Sequence, residues 1–181
     1  MRFRGLKIEG CFLIEPEAIE DDRGFFARSW CAEEFAAHGI NPALAQCNIS
    51  YSRRRGTLRG LHYQAEPCAE AKLIRCTAGA IFDVVVDLRP GSRTFGKWVC
   101  AELSAENRRM LYAPEGFAHG FQALWDNTEV FYQMSQPYRP ELARGLRYDD
   151  PELSILWPVP APIVSERDRA LPGLAETGLA A

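Results

Sequence analysis

The sequence has few of the features that mark membrane, secreted or nucleic-acid-binding proteins. None of its apolar runs approaches the roughly 18 residues that a membrane span needs. The first residues form no continuous apolar signal region, and the six cysteines include no Cys-x-x-Cys pair. The formal net charge of −3 argues against the basic face that nucleic-acid binding requires. These absences predict a cytoplasmic protein with reduced cysteines, a small ligand, and neither a membrane nor a nucleic acid as partner.

Several common catalytic centres are missing as well. The chain contains no Gly-x-Ser-x-Gly elbow for a nucleophilic serine, no Gly-x-x-x-x-Gly-Lys phosphate loop, and no cysteine close in sequence to a histidine. It has three histidines, His38, His62 and His119, and no His-x-His pair, which disfavours a catalytic metal. The chemistry that remains is acid–base catalysis, with Lys72 and several arginines available to hold negative charge.

Length and patterning predict a single domain built mainly of β-strands. A chain of 181 residues that is 47% hydrophobic can bury one substantial core. Between residues 46 and 136, short β-type runs alternate with Gly, Pro, Asn and Asp at spacings of roughly 8 to 12 residues, which is typical of an antiparallel sandwich or barrel. A short peripheral helix is predicted over residues 29–39, with Ser29 as its N-cap and Gly39 at its end. Residues 165–168 predict a capped helical turn.

The clearest predicted strand covers residues 80–88. Its alternation places Asp83 and Asp87 on one face together with Ile81 and Val85, while the opposite face is wholly apolar. Because both faces carry apolar side chains, we expect both to be covered. Buried acids need partners, so we expect Lys, Arg or His from neighbouring strands to pair with the two aspartates.

Residues 56–64 hold the first candidate for a catalytic base. His62 can change its charge near neutral pH and lies three residues after Arg59, a side chain suited to binding an anion. A single histidine in a strand is also commonly structural. On a flat strand Arg59 and His62 would face opposite sides, so a bulge near Gly60 is expected if both contact one ligand.

Two further strands carry polar groups on apolar faces. His119 would share a face with Phe117 and Phe121, a pattern that taken alone favours a packed histidine. Tyr132 shares a face with Met134, so its hydroxyl would enter a mostly apolar interior. A buried hydroxyl usually needs a hydrogen-bond partner.

Five segments in a fixed order carry a resemblance to a known family. They read Gly-Leu-His-Tyr-Gln at 60–64, Lys-Leu-Ile-Arg at 72–75, Phe-Asp-Val-Val-Val-Asp-Leu-Arg at 82–89, Pro-Glu-Gly-Phe-Ala-His-Gly-Phe at 114–121 and Ser-Glu-Arg-Asp at 165–168. In this order and spacing the chain resembles the dTDP-4-dehydrorhamnose 3,5-epimerase family over roughly residues 5–172. The resemblance implies a mainly β, cupin-type double-stranded β-helix (jelly roll) with a few short peripheral helices. It also implies a homodimer, no cofactor and no metal. Length and composition predict one domain over residues 1–181 with a flexible tail from about 171.

The resemblance also implies roles for individual residues. The substrate would be a nucleotide-diphospho-4-keto sugar, with His62 as the base, Asp168 orienting it, Tyr132 as the acid on the opposite side of the sugar, and Lys72 stabilising an enolate oxygen. The expected substrate-binding positions are Arg23, Phe26, Gln46, Asn48, Arg59 and His119, with Asp83 supporting His119.

The chemistry agrees with these roles. The hydrogens on C3 and C5 are acidic because both carbons neighbour the C4 carbonyl, and their removal gives an enolate that a lysine ammonium can stabilise. Reprotonation from the other face inverts the carbon. The resemblance therefore implies an isomerase in deoxysugar (rhamnose-type) biosynthesis for cell-surface polysaccharide. Three alternatives stay open: a mono-epimerase for C3 or C5 alone, a non-catalytic sugar-nucleotide-binding cupin, and a metal-dependent cupin. Arg28 stands where the family commonly has a glutamate, and this charge reversal bears on which sugar or nucleotide is bound.

Overall fold

Two antiparallel β-sheets facing each other form the body of the chain, in a computed structural model that describes residues 1–179. The strands are β1 Arg2–Gly5, β2 Phe12–Glu15, β3 Ile19–Asp21, β4 Gly24–Phe26, β5 Gln46–Ser52, β6 Leu58–Gln64, β7 Lys72–Ala78, β8 Ala80–Asp87, β9 Trp98–Ser104, β10 Met110–Ala113, β11 Phe117–Ala123, β12 Thr128–Met134 and β13 Ala143–Gly145. One sheet has the order β1-β2-β10-β7-β12-β5, the other has the order β13-β6-β11-β8-β9, and β3 and β4 form a separate hairpin. The predicted mainly β, jelly-roll fold is confirmed.

The helical elements within residues 1–179 are short and peripheral. They are the α-helices α1 Ala32–Ala37 and α2 Glu166–Arg169, and single 3₁₀ turns at Pro140–Leu142 and Leu174–Glu176. In the described part of the chain, no helix is long and apolar enough to cross a membrane.

Three apolar clusters hold the layers together. The first lies between the two sheets and includes Ile74, Val85 and Phe121. The second covers the outer face of the five-stranded sheet with residues from the C-terminal segment, and the third covers part of the six-stranded sheet with α1. Since each sheet is covered on both faces where the clusters lie, the alternating strands contribute to two cores at once.

Strand β8 shows this double coverage and confirms the expectation drawn from its alternation. Val84 packs in the second cluster and Val85 in the first. Asp83 pairs with His119 on the neighbouring β11, as predicted for a buried acid. Asp87 instead finds its partners in the following turn, where Arg89, Ser92 and Thr94 donate to its carboxylate. Burial alone would raise the pKa of Asp87, but these hydrogen bonds lower it to about 2.

Helix α1 is shorter than the predicted 29–39, and its start was predicted wrongly. The N-cap is Cys31, in an extended conformation, and no side chain caps the helix there. Trp30 packs with Phe35 against the third cluster. This packing holds the preceding residues in an extended segment, so the capping preference of Ser29 is not used. The predicted end is confirmed, because Gly39 follows the helix with a φ of +69°.

The C-terminal segment packs against the five-stranded sheet. Leu174 is buried in the second cluster, and Leu179 packs against the same cluster. The flexibility expected from about residue 171, like the single-domain assignment, stays a prediction, and residues 180 and 181 lie outside the described residues. All six cysteines are free.

Candidate active site

A cavity of about 360 Å³ opens between the two sheets, and it collects most of the predicted site residues. The six-stranded sheet contributes side chains from β5, β7 and β12, while the five-stranded sheet contributes β6 and β11. The predicted site residues that line it are Gln46, Asn48, Arg59, His62, Lys72, His119, Tyr132 and Asp168. Asp83 lies behind His119 and supports it, as predicted.

A bulge in β6 places Arg59 and His62 on the same side of the sheet. His62 is opposite His119 and Arg59 is opposite Phe121, so three steps along β6 match two steps along β11. The backbone at Gly60 has a φ of +111°, and a Cβ there would lie 2.6 Å from the Cα of Gly120. Only glycine fits this close approach, and the bulge expected near Gly60 is confirmed.

His62 is held by a buried carboxylate. Its Nε2 lies 2.8 Å from Oδ1 of Asp168, and the amide of Gly60 donates to Oδ2 of the same carboxylate at 3.2 Å. Burial alone would raise the pKa of Asp168, but the hydrogen bonds from His62 and Gly60 outweigh it and hold that pKa below its usual range. An ionised Asp168 accepts a hydrogen bond from Nε2–H, which leaves Nδ1 as the ring nitrogen without a proton in the neutral imidazole.

The short helix α2 brings Asp168 to this position. Ser165 is its N-cap, and the Ser165 hydroxyl accepts a hydrogen bond from the Asp168 amide at 3.1 Å. The predicted cap and helical turn are confirmed. The cap fixes the backbone of the same residue whose carboxylate holds the histidine.

The side chain of Lys72 reaches from the six-stranded sheet to the five-stranded sheet. It is on β7, and its ammonium donates to the His62 carbonyl on β6 at 3.1 Å. The same nitrogen lies 3.0 Å from Oε1 of Glu70, and both side chains are about nine-tenths buried. An ammonium has three N–H donors and only one of them is given to the His62 carbonyl among the described residues, so Lys72 can also donate to a ligand in the cavity.

Tyr132 approaches from the sheet opposite His62. Its ring packs on the first apolar cluster, and it lines the cavity on β12 beside Met134. Polar and apolar side chains share the cavity wall about equally, and Tyr132 is half-buried there, where its hydroxyl can meet a ligand.

His119 and Asp83 form a second histidine–carboxylate pair, deeper than the first. His119 Nε2 lies 2.7 Å from Asp83 Oδ1, and the Asp83 side chain is fully buried. Burial raises the pKa of Asp83, while His119 and Lys72 oppose the rise. Within the described residues, the second oxygen of Asp83 has no hydrogen-bond partner.

Guanidinium groups supply positive charge at the cavity. Arg59 donates to the Tyr51 carbonyl at 2.8 Å, which fixes it at the wall. Arg144 on β13 and Arg167 on α2 also line the cavity, and neither was predicted as a site residue. Arg167 stands beside Asp168 within a quoted motif, so its position could have drawn attention to it. Arg144 gave no such signal, because only the pairing of β13 with β6 brings it here.

Two predicted substrate-binding residues are not at this cavity. Arg23 and Phe26 belong to the β3–β4 hairpin, where Arg23 pairs with Asp21 and the Phe26 side chain is 71% exposed. The nearby Arg28 pairs with Glu34 of α1 at 2.8 Å and is also outside the cavity. Their roles in substrate binding, and the effect of Arg28, stay predictions.

The geometry supports proton transfer on a small anionic ligand. A histidine and a tyrosine hydroxyl face the cavity from opposite sheets, and an ammonium and three guanidiniums also line it. Within residues 1–179, no group of three or more His, Cys, Asp or Glu side chains is arranged to hold a metal ion.

Comparison with known proteins identifies relatives over nearly the whole chain. The sequence profile of the dTDP-4-dehydrorhamnose 3,5-epimerase family matches residues 5–176. An enzyme of that name from Sinorhizobium fredii is 46% identical over 177 residues, which cover 97% of this chain and 91% of the relative.

Solved structures agree in fold. The crystal structure of dTDP-4-dehydrorhamnose 3,5-epimerase from Elizabethkingia anophelis has a TM-score of 0.95 and 39% identity, and the match covers 98% of both chains. A 3'-monoepimerase from Streptomyces bikiniensis, in complex with dTDP-quinovose, has a TM-score of 0.87 and 38% identity over 94% of this chain and 86% of that one.

Proposed function

Since the chain belongs to the dTDP-4-dehydrorhamnose 3,5-epimerase family and is thereby an isomerase, we propose that it inverts C3 and C5 of a dTDP-4-keto-6-deoxy sugar. The reaction serves the dTDP-rhamnose pathway, which supplies deoxysugars for cell-surface polysaccharide. The ligand is a nucleotide-diphospho-4-keto sugar, and the cationic side chains around the cavity suit its diphosphate.

One observation carries this proposal: the candidate base and the candidate acid reach the cavity from opposite sheets. His62 is on β6 of the five-stranded sheet and Tyr132 is on β12 of the six-stranded sheet. Inversion of a carbon needs a proton to leave one face of the sugar and another to arrive on the opposite face. A site with both groups on one sheet would return the proton to the side it left.

The proposed steps assign one task to each group. His62 Nδ1 removes the proton from C3 or C5, and the electron pair of the C–H bond moves onto the C4 oxygen as an enolate. Lys72 donates an N–H to that oxygen, while Asp168 stabilises the imidazolium that forms. Tyr132 then delivers its hydroxyl proton from the other face, as the enolate electron pair returns to the carbon and the C4 carbonyl is restored. The imidazolium loses its proton to solvent and the tyrosinate takes one from solvent, which resets the site.

Proton NMR of dTDP-4-keto-6-deoxyglucose in heavy water tests the proposal. We expect the signals at C3 and C5 both to disappear with the protein present, because each carbon is reprotonated from a site that exchanges with solvent. His62→Ala should abolish both losses. Tyr132→Phe should retain more proton abstraction than completed inversion. Absence of exchange with this and other nucleotide sugars would favour a non-catalytic binder, and near-normal turnover of His62→Ala would refute the base.

A mono-epimerase is the second candidate. It is favoured by the similarity to the 3'-monoepimerase from Streptomyces bikiniensis, whose fold matches over nearly the whole chain. The same base serves both activities, and the difference lies in which carbons the acid reaches. Loss of the C3 signal alone in the same experiment would assign this narrower activity.

We propose that the chain acts as a homodimer in which the hairpin of one protomer completes the cavity of the other. Arg23 and Phe26 are predicted to bind substrate, yet they are exposed and outside the cavity of their own protomer. The edge strand β5 also exposes apolar side chains, Ile49 and Tyr51, that a partner would cover.

Mixing two inactive variants tests this arrangement. His62→Ala and Arg23→Ala, denatured and refolded together, should recover activity, since a mixed dimer has one site with both residues intact. Random pairing in a two-fold dimer predicts about a quarter of wild-type activity. No recovery, with light scattering still reporting dimers, would contradict a site shared between protomers.

A cytoplasmic location is proposed as well. It is supported by the six cysteines, all of them free, as expected where thiols stay reduced. Fractionation of cells with an antibody to this chain would test it.

A further inference from the structure

Glu70 is a nearly buried carboxylate at the cavity to which neither the sequence nor the proposed mechanism assigns a task. It lines the cavity with a side chain that is 10% exposed, and its Oε1 lies 3.0 Å from the ammonium of Lys72. Of the two carboxylates that line the cavity, Asp168 holds the histidine and Glu70 holds the lysine. A carboxylate this deeply buried is costly unless it is paired.

The two partners of Lys72 hold its ammonium in place. The His62 carbonyl on the opposite sheet accepts an N–H, and the carboxylate of Glu70, two residues earlier in the chain, forms an ion pair with the same nitrogen at 3.0 Å. A lysine side chain with four rotatable bonds would otherwise lose its position easily, because a single hydrogen bond leaves the ammonium free to swing. The hydrogen bond and the ion pair together restrict the ammonium, and an N–H that is not given to His62 can face the cavity.

Resting on the proposed epimerase function, we propose that Glu70 is a positioning residue, which holds the Lys72 ammonium so that its free N–H meets the C4 oxygen of the substrate. Glu70 acts through Lys72 and needs no contact with the sugar. The interaction matters most when the enolate carries its charge, since a donor aligned in advance requires no reorganisation at that moment. The effect is therefore expected in kcat more than in KM.

The test uses steady-state kinetics of the full-length protein with dTDP-4-keto-6-deoxyglucose, together with deuterium exchange at C3 and C5. Glu70→Ala should lower kcat by about 10- to 100-fold, because the nearly buried ion pair that holds the ammonium is lost, and should leave KM within about twofold. Glu70→Gln keeps an oxygen acceptor and should recover about half of that loss on a logarithmic scale. Glu106→Ala, which changes an exposed glutamate in the turn between β9 and β10, is the matched control.

A double-mutant cycle distinguishes positioning from a separate role. In a Lys72→Ala background, Glu70→Ala should lower kcat no further, since there is no ammonium left to position. Losses that multiply in the double variant would overturn the proposal, as would unchanged kcat in Glu70→Ala. A raised KM with unchanged kcat would instead make Glu70 a direct substrate contact and would also overturn it.

Two controls separate an effect on positioning from a loss of folding and from a failure of the proposed function. Thermal unfolding of each variant identifies loss of folding, and if Glu70→Ala does not fold, the milder Glu70→Gln still tests the kcat effect. The proposed function is checked in the same experiment by the wild-type protein. If the wild type exchanges neither proton, the epimerase function itself fails; if it exchanges both and the Glu70 variants match it, only the positioning role is wrong.

Discussion

Replacing Asp168 by asparagine should reverse the tautomer of His62. The Gly60 amide donates to one carboxylate oxygen, and His62 Nε2 lies against the other. An asparagine in the same rotamer would turn its carbonyl oxygen toward the Gly60 donor and its amide N–H₂ toward the histidine. Nε2 must then accept a hydrogen bond, so the ring proton moves to Nδ1. The nitrogen that should remove the substrate proton is then already protonated.

The magnitude follows from two losses that act together. The charge-assisted bond at 2.8 Å is replaced by a neutral one, and the nearly buried carboxylate no longer offsets the charge of the imidazolium. A hydrogen bond with a charged partner contributes about 1.5–3 kcal/mol, equivalent to about 10- to 100-fold in rate. Because the tautomer is also wrong, we expect kcat for Asp168→Asn to fall by at least about 100-fold.

The assay is the initial rate of deuterium incorporation at C3 and C5, followed by proton NMR. Asp149→Asn is the control, since Asp149 forms an ion pair with Arg147 on the surface and contacts no cavity residue. Titration of Asp168 itself should add no pH dependence to the wild-type rate from about pH 5 to 8, because the pKa of Asp168 is below its usual range and the carboxylate is ionised throughout. The advantage of the wild type should be lost only as the pH falls through the lowered pKa.

A rate for Asp168→Asn within about threefold of wild type would refute the reasoning, because the loss of even one charge-assisted bond costs more. Unfolding of the variant would leave the rate uninformative, so its melting temperature is measured first. A folded variant that exchanges C3 and C5 normally would mean that His62 draws its basicity from another group.

Three further changes test the fold and the phosphate site. Gly60→Ala should lower the free energy of unfolding by about 2–4 kcal/mol, because its Cβ would meet Gly120; Gly5→Ala, which has nothing within 4 Å, is the control, and equal stability of the two would contradict the close approach. Asp87→Asn should cost about 2 kcal/mol in denaturant titrations at neutral pH, since the folded pKa is about 2 against about 3.9 unfolded. That contribution is complete above about pH 4 and is lost toward pH 2, so an unchanged acid dependence in the variant would disprove it. Arg59→Ala should raise KM by about 10-fold with little change in kcat, and an unchanged KM would exclude it from the phosphate site.

The strands were predictable because their signal is local. The alternation along β8 was enough to foresee two covered faces and a basic partner for Asp83. The bulge at Gly60 was also predictable, because Arg59 and His62 could share a ligand only if the strand gained a residue between them. In each case the pattern within one strand contained the information.

Helix α1 shows where local preference fails. The sequence offers Ser29 as a good N-cap, yet the helix begins after Cys31. Burial of Trp30 and Phe35 in the third cluster outweighs a capping hydrogen bond of about 1 kcal/mol. Packing partners that are distant in sequence decided the boundary.

Arg144 and Glu70 line the cavity although the sequence analysis did not predict them as site residues. Arg144 reaches the site because β13 pairs with β6, about 80 positions earlier in the chain, and nothing in the local sequence announces that pairing. Glu70 gave a weak signal, since it is two residues before Lys72 and therefore on the same side of an extended segment. The position of Arg144 therefore depends on the pairing of two strands that are distant in sequence, which short motifs do not reveal.

The bulge in β6 also leaves one backbone amide without a place in the sheet. An extra residue in one strand has no opposite number in its neighbour, and the N–H of Gly60 is turned instead to the carboxylate of Asp168. Asp168 of the C-terminal segment is thus bound to β6 twice, by the backbone amide of Gly60 and by the side chain of His62. Substitutions at the other positions of β6 can change the side chains that face a sugar, but the donor to Asp168 is the backbone amide of Gly60 and does not depend on them.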